Sequence, residues 1–351
     1  MQAQPAPFNE TIVSNHFKPQ VFNPHPWFKN AHLQTLWSRL AKYQPRVELF
    51  WQELTLPDGD FVDLAWTAPR ATIAASHAPL LVIFHGLEGS AKSSYADQLM
   101  LEAKQQGWHA VVMHFRSCSG RPNRTARAYH SGDTADARFF VQYLAHEFTA
   151  KPLYAAGYSL GGNMLVKLLA ESPELPIVAA AAVSAPLALA PSSQRINRGW
   201  SRMYRNHLLN SLKQKTLAKL ENGVLANHLN ITERCLLSIR DFPNFDNLVT
   251  APLHGFSSAS DYYRQCSGLQ FLGAIQTPLL IVHAKDDPFT CKASIPDRNA
   301  LSPQVHYELH QRGGHVGFIE KRNGNALPWL PPRLFNFFTE QEFYAHSMAK
   351  A

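Results

Sequence analysis

Cysteine is scarce in this chain. The 351 residues include four, Cys118, Cys235, Cys266 and Cys291, far apart and without metal-type spacing. That excludes a disulfide framework and reads as free thiols in a reducing compartment, with a cytoplasmic location the simplest expectation. Long apolar runs are missing too. No stretch of 18 apolar residues exists, so no transmembrane helix is expected. Met1 to Phe17 lacks the apolar core of a secretory signal. Charge is sparse, at 17 % Asp, Glu, Lys and Arg against 45 % hydrophobic residues, which excludes a disordered chain and allows a sizeable core. Internal repeats and low-complexity segments are absent.

Of the two charge signs, acid is the scarcer. The formal charge is +7. Part of the excess is local: Arg195, Arg198, Arg202, Arg205, Lys213, Lys215 and Lys219 share one short window. A solvated helix face explains such a cluster; a surface that meets anionic lipid or an anionic substrate is the sharper reading. No nucleic-acid motif accompanies the charge, so no nucleic-acid partner is expected.

What is present is a rhythm of strands and helices. An arm over 1–45 is rich in Pro, Asn, His and aromatics, with a short helix near Asn30–Leu40. Glu53–Leu56 and Phe61–Trp66 flank Asp58-Gly59 and read as a hairpin. Leu80–Phe84 is a continuous apolar run, the mark of a buried parallel strand. Helix-like spacing over Tyr95–Gln106 leads to a strand at Ala110–Phe115, and a helix over Thr134–Phe148 to a strand at 153–157. Ile177–Val183 follows as a strand. The rhythm breaks over 190–270, which is basic, polar and mostly helical in pattern. It resumes with Pro278–His283 and Val305–Leu309 and ends in a helix over Pro331–His346. Strands alternating with helices imply a mostly parallel central sheet with helices on both faces. The expected organisation is an arm (1–45), an α/β core (46–189 and 271–351) and a helical cap insertion (190–270).

The chemistry starts at Gly157-Tyr158-Ser159-Leu160-Gly161. An apolar run precedes it and a helical pattern follows. Two Gly at this spacing allow a sharp strand-to-helix turn that leaves the Ser hydroxyl exposed above the sheet. A Ser hydroxyl is a poor nucleophile, so it needs a base, and the base needs an orienting carboxylate. In this arrangement the chain order is Ser, then acid, then His. Asp287 follows a late strand and His315 follows the last one, behind Gly313-Gly314. Asp286 competes with Asp287 for the acid role. His85, His114, His130 and His254 read as structural, His85 as a support for its own loop. The oxyanion of an acyl intermediate needs preorganised donors. The backbone N–H groups of Leu160 and of Leu87, in His85-Gly86-Leu87, are the candidates. The chemistry calls for no cofactor, and no His or Asp spacing implies a metal. In the cap, Trp200, Met203 and Tyr204 are candidates to line an acyl pocket.

Several tracts now stand together: Asn30-Ala31-His32-Leu33-Gln34-Thr35, His85-Gly86-Leu87-Glu88-Gly89-Ser90, Phe115-Arg116-Ser117-Cys118-Ser119-Gly120 and Arg127-Ala128-Tyr129-His130-Ser131-Gly132. The elbow, Thr250-Ala251-Pro252-Leu253-His254-Gly255-Phe256, Asp261-Tyr262-Tyr263, Asp286-Asp287-Pro288 and Gly314-His315 extend the set nearly end to end. With these the chain resembles the YheT-like α/β-hydrolases, bacterial relatives of abhydrolase-domain esterases and lipases. Two positions depart from the usual pattern: Ala31 stands for Pro and Ser117 for Gly. The resemblance implies an α/β-hydrolase fold, an esterase or lipase-like activity, and a triad of Ser159, Asp287 and His315. The expected partner is a small-molecule or lipid ester. Acyl transfer on the same residues, or ligand binding without catalysis, are the alternatives.

Overall fold

The computed structural model describes residues 11–12, 20–40 and 47–348. About half of the expected arm, residues 1–10, 13–19 and 41–45, lies outside them.

The strands are β1 (Thr11–Ile12), β2 (Phe50–Thr55), β3 (Phe61–Trp66), β4 (Leu80–Phe84), β5 (His109–Met113), β6 (Leu153–Tyr158), β7 (Ile177–Val183), β8 (Leu279–Ala284) and β9 (Val305–His310). They form one sheet in the order β1-β9-β8-β7-β6-β4-β5-β3-β2. Neighbours from β5 through β4 to β9 pair in parallel, while β1, β2 and β3 pair antiparallel at the two edges. A separate hairpin joins β10 (Ile319–Arg322) to β11 (Asn325–Pro328) through Asn323 and Gly324, both at positive φ. That is the dihedral pattern of a two-residue Asn-Gly turn.

The helices of the core are α1 (Ala31–Leu40), α2 (Arg70–Ala75), α3 (Ser94–Gln105), α4 (Ala135–Glu147) and α5 (Leu160–Glu171). Between β7 and β8 lie α6 (Leu189–Arg195), α7 (Ser201–Glu221), α8 (Glu233–Ser238), α9 (Phe242–Phe245), a π-helical turn (Asp246–Thr250), α10 (Ala251–Leu253) and α11 (Ala259–Cys266). This is the cap. The chain closes with α12 (Leu330–Met348).

Side chains alternate across a strand, so each buried strand feeds two cores. Leu80, Val82 and Phe84 of β4 pack with α4 and α5, whereas Leu81 and Ile83 pack with α3 and α12. With both faces covered, every β4 side chain is buried, which is why that strand is apolar throughout. The cap has its own core, around Ile196, Leu209, Leu225, Leu236, Phe242 and Phe245.

Strand order reverses between β4 and β6. Open α/β sheets bind ligands outside the carboxyl ends of strands at such a switch point. Ser159 follows β6 and the His85-Gly86-Leu87 loop follows β4, so the fold puts both at that crevice.

Both family departures have local accounts. Ala31 is the first residue of α1, where Pro is favoured but not required. Asn30 caps the helix, its Oδ1 accepting from the N–H of His32 at 2.8 Å. Ser117 sits at φ +64°, a conformation that favours Gly. Its hydroxyl donates to Asn123 Oδ1 and accepts from the Asn123 N–H, and these bonds hold the turn.

Candidate active site

Ser159 has φ 51° and ψ −118°, a strained backbone that holds the hydroxyl clear of both β6 and α5. The flanking glycines make the turn possible. A Cβ on Gly161 would lie 2.5 Å from the carbonyl oxygens of Phe84 and His85, and one on Gly157 would lie 2.5 Å from Gly161 O.

Three residues separated widely in sequence meet here. His315 Nε2 lies 2.9 Å from Ser159 Oγ, and its Nδ1 lies 2.9 Å from Asp287 Oδ2. Asp287 is buried, and its Oδ1 accepts from the Phe289 N–H at 2.7 Å. Phe289 stacks on the His315 ring, centroids 4.1 Å apart. Asp286, the competitor, turns away: its Oδ1 accepts from the Gly314 N–H at 2.9 Å, so it fixes the loop that carries His315.

That loop leans on α1. The His315 N–H donates to Thr35 Oγ1, and the Thr35 hydroxyl donates to Ala31 O. Buried Gln34 donates to Phe28 O and Ile319 O and accepts from the Ile319 N–H. A Cβ on Gly314 would lie 2.5 Å from Ala31 O. The tract at 30–35 thus forms the wall behind His315, a role that its sequence alone did not suggest.

His85, His114, His130 and His254 are packed supports, and burial lowers the pKa of each. His85 Nδ1 donates to Gly86 O and its Nε2 accepts from the Phe115 N–H, so both nitrogens are used. Burial, with the nearby His114, pushes its pKa down to about 3. His114 likewise donates to Asp63 O and accepts from the Ala91 N–H. His130, Asp133 and His254 bring ligand atoms within 4.8 Å of one another, a cluster among the described residues that could hold a cation and that the spacing did not foretell. Arg127 already pairs with Asp133 at 2.5 Å, and positive neighbours help burial hold both imidazoles neutral. The guanidinium already neutralises the cluster's one carboxylate through Oδ1, while Asp133 Oδ2 and His254 Nε2 meet no protein partner among the described residues.

The backbone N–H groups of Leu87 and Leu160 meet no protein acceptor among the described residues. Next to Leu87, Glu88 sits at φ +55°. Its carboxylate accepts from Tyr129 OH and from Lys215 Nζ, both at Oε1, and from Ser211 Oγ at Oε2. Its N–H donates to Tyr129 OH at 2.9 Å. Ser211 and Lys215 belong to α7, so the cap grips the residue beside the candidate donor.

A cavity of about 900 Å³ opens at Ser159, between sheet and cap. Leu189, Ile196, Leu208, Leu212, Phe242, Phe245 and Val249 give it an apolar wall, with Lys215, His207 and Asp246 among its polar groups. Tyr204 lines it as expected. Trp200 and Met203 do not: they are 76 % and 49 % exposed and point to solvent. Trp200 precedes the first turn of α7; Ser201 is buried against Pro288 O, and the cavity-lining side of the helix begins at Tyr204. The basic window also divides. Lys215 pairs with Glu88, Lys219 donates to the carbonyls of Thr125, Ala126 and Arg127, and Lys213 donates to those of Leu237 and Ile239. Arg198 and Arg202 face solvent.

A doubly covered parallel sheet with a strained Ser after β6, and a His after its last parallel strand, is the architecture of an α/β-hydrolase. Residues 79–322 match the family described as alpha/beta hydrolase fold. YheT of Escherichia coli (strain K12), a proposed esterase, is 48 % identical over 331 residues, covering 94 % of this chain and 96 % of that one. The monoacylglycerol lipase of Saccharomyces cerevisiae is 32 % identical over 266 residues, covering 74 % of this chain and 58 % of that one. The chain belongs to the α/β-hydrolase fold family, in its YheT-like branch. Among solved structures, the Pyrococcus furiosus esterase Pf2001 superposes with a TM-score of 0.53 at 16 % identity, over 92 % of this chain and 98 % of that one, a likeness of fold alone.

Proposed function

We propose that this protein hydrolyses carboxylic esters through an acyl-serine intermediate, with Ser159, His315 and Asp287 as nucleophile, base and orienting acid. The observation that carries this is the continuous relay from Asp287 Oδ2 to His315 to Ser159 Oγ, with both contacts at 2.9 Å.

In the first half-reaction His315 Nε2 takes the Ser159 proton as Oγ bonds to the ester carbonyl carbon. The carbonyl oxygen becomes an oxyanion, which the Leu87 and Leu160 N–H groups receive. Collapse breaks the bond to the alcohol oxygen, and His315 returns its proton to that oxygen. Water then attacks the acyl-serine with His315 again as base, and the acid leaves as Ser159 regains its proton. Asp287 keeps the proton of His315 on Nδ1 throughout, so Nε2 is free to accept.

The apolar wall of the cavity supports an acyl chain as the part of the substrate held under the cap. A lipid ester such as a monoacylglycerol, the substrate class in the yeast relative's name, suits that space. The unpaired cysteines Cys118, Cys235, Cys266 and Cys291 suit a reducing, cytoplasmic setting. Among the described residues no helix is long and apolar enough to cross a membrane.

The test is covalent. Fluorophosphonate should modify Ser159 alone, located by peptide mapping, and the S159A protein should take up none. Profiling with p-nitrophenyl esters from acetate to palmitate and with monoacylglycerols then defines the acyl group. An adduct elsewhere, or none in folded protein, refutes the assignment. Acyl transfer would appear as a new ester when an alcohol is added.

A further inference from the structure

The excess positive charge is concentrated on two stretches of chain that carry no acid at all. Between Glu174 and Glu221 the sequence holds seven Lys and Arg and no Asp or Glu; between Glu10 and Glu48 it holds five and none. The fold brings described parts of the two stretches together. His32 of α1 lies over Tyr204 of α7, rings stacked 5.9 Å apart and His32 Nδ1 3.3 Å from Tyr204 OH. Arg195 is close enough to join burial in lowering the His32 pKa. Tyr204 in turn packs on Phe289 at 5.1 Å, and Phe289 on His315. The junction of the stretches is therefore two rings from the candidate base.

The exposed side chains at this junction are unusual for a plain solvated surface. Leu33, next to His32, is 47 % exposed; Trp200 and Met203, just before Tyr204, are 76 % and 49 % exposed; and Trp27, in the short turn Pro26–Phe28 that leads into α1, is 82 % exposed. Among them stand Arg198 and Arg202, both exposed. Arg195, Arg198, Arg202 and Arg205 form no ion pair with a carboxylate among the described residues; their hydrogen bonds go to Ser201, Gly199, Asn197 and Asn206. The nearby acids are engaged elsewhere, Asp287 by His315 and Asp286 by Gly314. Apolar and aromatic side chains ringed by unpaired cations fit one kind of partner: the anionic face of a phospholipid bilayer. There tryptophan settles at headgroup depth and arginine meets phosphate.

We propose that the rim formed by Trp27, Leu33, Trp200 and Met203, with Arg198 and Arg202 beside it, docks this protein on anionic bilayers with the mouth of the cavity toward the lipid. The charge supplies long-range attraction and the aromatic rim supplies shallow insertion. The docking is a property of the surface and holds whether or not Ser159 is catalytic.

Co-sedimentation with extruded vesicles tests it, using pure phosphatidylcholine and the same lipid with about 30 mol % phosphatidylglycerol. The wild-type chain should bind the anionic vesicles and leave the neutral ones. Binding should weaken as salt rises from about 0.1 to 0.5 M, as exposed charges are screened. R198E/R202E and W200S/M203S should each reduce the partition constant at least about tenfold. Circular dichroism melting checks that each variant is folded, and R198Q/R202Q replaces the charge reversal if that one is not. If the wild type ignores anionic vesicles, or if a folded variant of either kind binds as the wild type does, the proposal is overturned. Equal stripping by duplex DNA at matched charge, with no insertion signal from brominated lipid quenching of tryptophan, would mark a generic polyanion surface and also overturn it.

Discussion

The replacement Asp287→Asn isolates one proton. The Asp287 carboxylate has two clients: Oδ1 accepts from the Phe289 N–H at 2.7 Å and Oδ2 meets His315 Nδ1 at 2.9 Å. An amide of the same shape has one oxygen and one NH2. If the oxygen stays on Phe289, the NH2 faces Nδ1 and donates to it. The ring must then carry its proton on Nε2, pointing at Ser159, and cannot accept the serine proton. If the amide flips, NH2 opposes the Phe289 N–H and leaves a buried donor unpaired, at a cost of about 1–3 kcal/mol. Either way the productive tautomer is disfavoured and the imidazolium loses its counter-charge. In the Ser-His-Asp template this change lowers kcat about 10⁴-fold, roughly 5.5 kcal/mol. We expect 10³- to 10⁴-fold here, about 4–5.5 kcal/mol, measured on a soluble p-nitrophenyl ester with little change in KM. Asp286→Asn keeps an oxygen for the Gly314 N–H and should cost under about tenfold. If the Asp286 variant lost more activity than the Asp287 variant, the reasoning about this relay would be wrong.

Glu88→Gln leaves Lys215 without its partner charge and should lower kcat more than it raises KM, with a stability loss of about 2–3 kcal/mol; the double variant E88Q/K215M should regain part of that stability in urea unfolding, and strict additivity would deny the coupling. Gly161→Ala sets a Cβ 2.5 Å from two backbone oxygens and should cost at least about 1–3 kcal/mol, seen as a lowered Tm; an unchanged Tm would show that the β4 loop yields freely. Stability should fall on mild acidification. His85 is held down to about 3, and His254, His283 and His306 to about 4, chiefly by burial, so unfolding releases imidazoles that take up protons below about pH 6.5. Asp133 and Asp246, pushed up to about 6, act in the opposite sense, because folding keeps their protons on. The depressed imidazoles, His114 and His130 among them, outnumber the raised carboxyls, so acidification between about pH 6 and 5 favours unfolding on balance. Urea midpoints that stay level across that range would count against the buried neutral histidines.

The core was legible where burial and period agree. Leu80–Phe84 and Ile177–Val183 are apolar because helices cover both faces, and both runs match their strands at each end. The elbow and the His315 loop were legible because their turns demand Gly at fixed places, and the Asp287 loop because an Asp-Pro step follows a late apolar strand. The hairpin of β10 and β11 escaped, although Asn323-Gly324 is a strong turn signal. Its flanks, Ile319–Arg322 and Asn325–Pro328, lack alternating β-branched residues, so nothing marked them as strands. The inward face of α7 was opaque for another reason. Its cavity-facing positions include Lys215 and Lys219, polar by composition yet turned inside because Glu88 and backbone carbonyls receive them. Helical period locates a face, but only tertiary partners decide which way it looks. Hence Trp200 and Met203, apolar by type, stand in solvent while two lysines line the interior.

Glu88 ties two parts of the molecule into one degree of freedom. A helix that lifted as a free cover would expose the cavity and leave the core unchanged. Here α7 cannot lift without letting go of Glu88, and Glu88 is at positive φ, one peptide from the Leu87 N–H. Opening the cap and slackening the backbone beside that N–H are therefore a single event. Removing the cap by truncation would not yield a more permissive core, because the loop after β4 would lose the partners that hold its shape. Engineering of this scaffold has to keep Ser211 and Lys215, or supply another hold on Glu88, before it alters anything else in the cap.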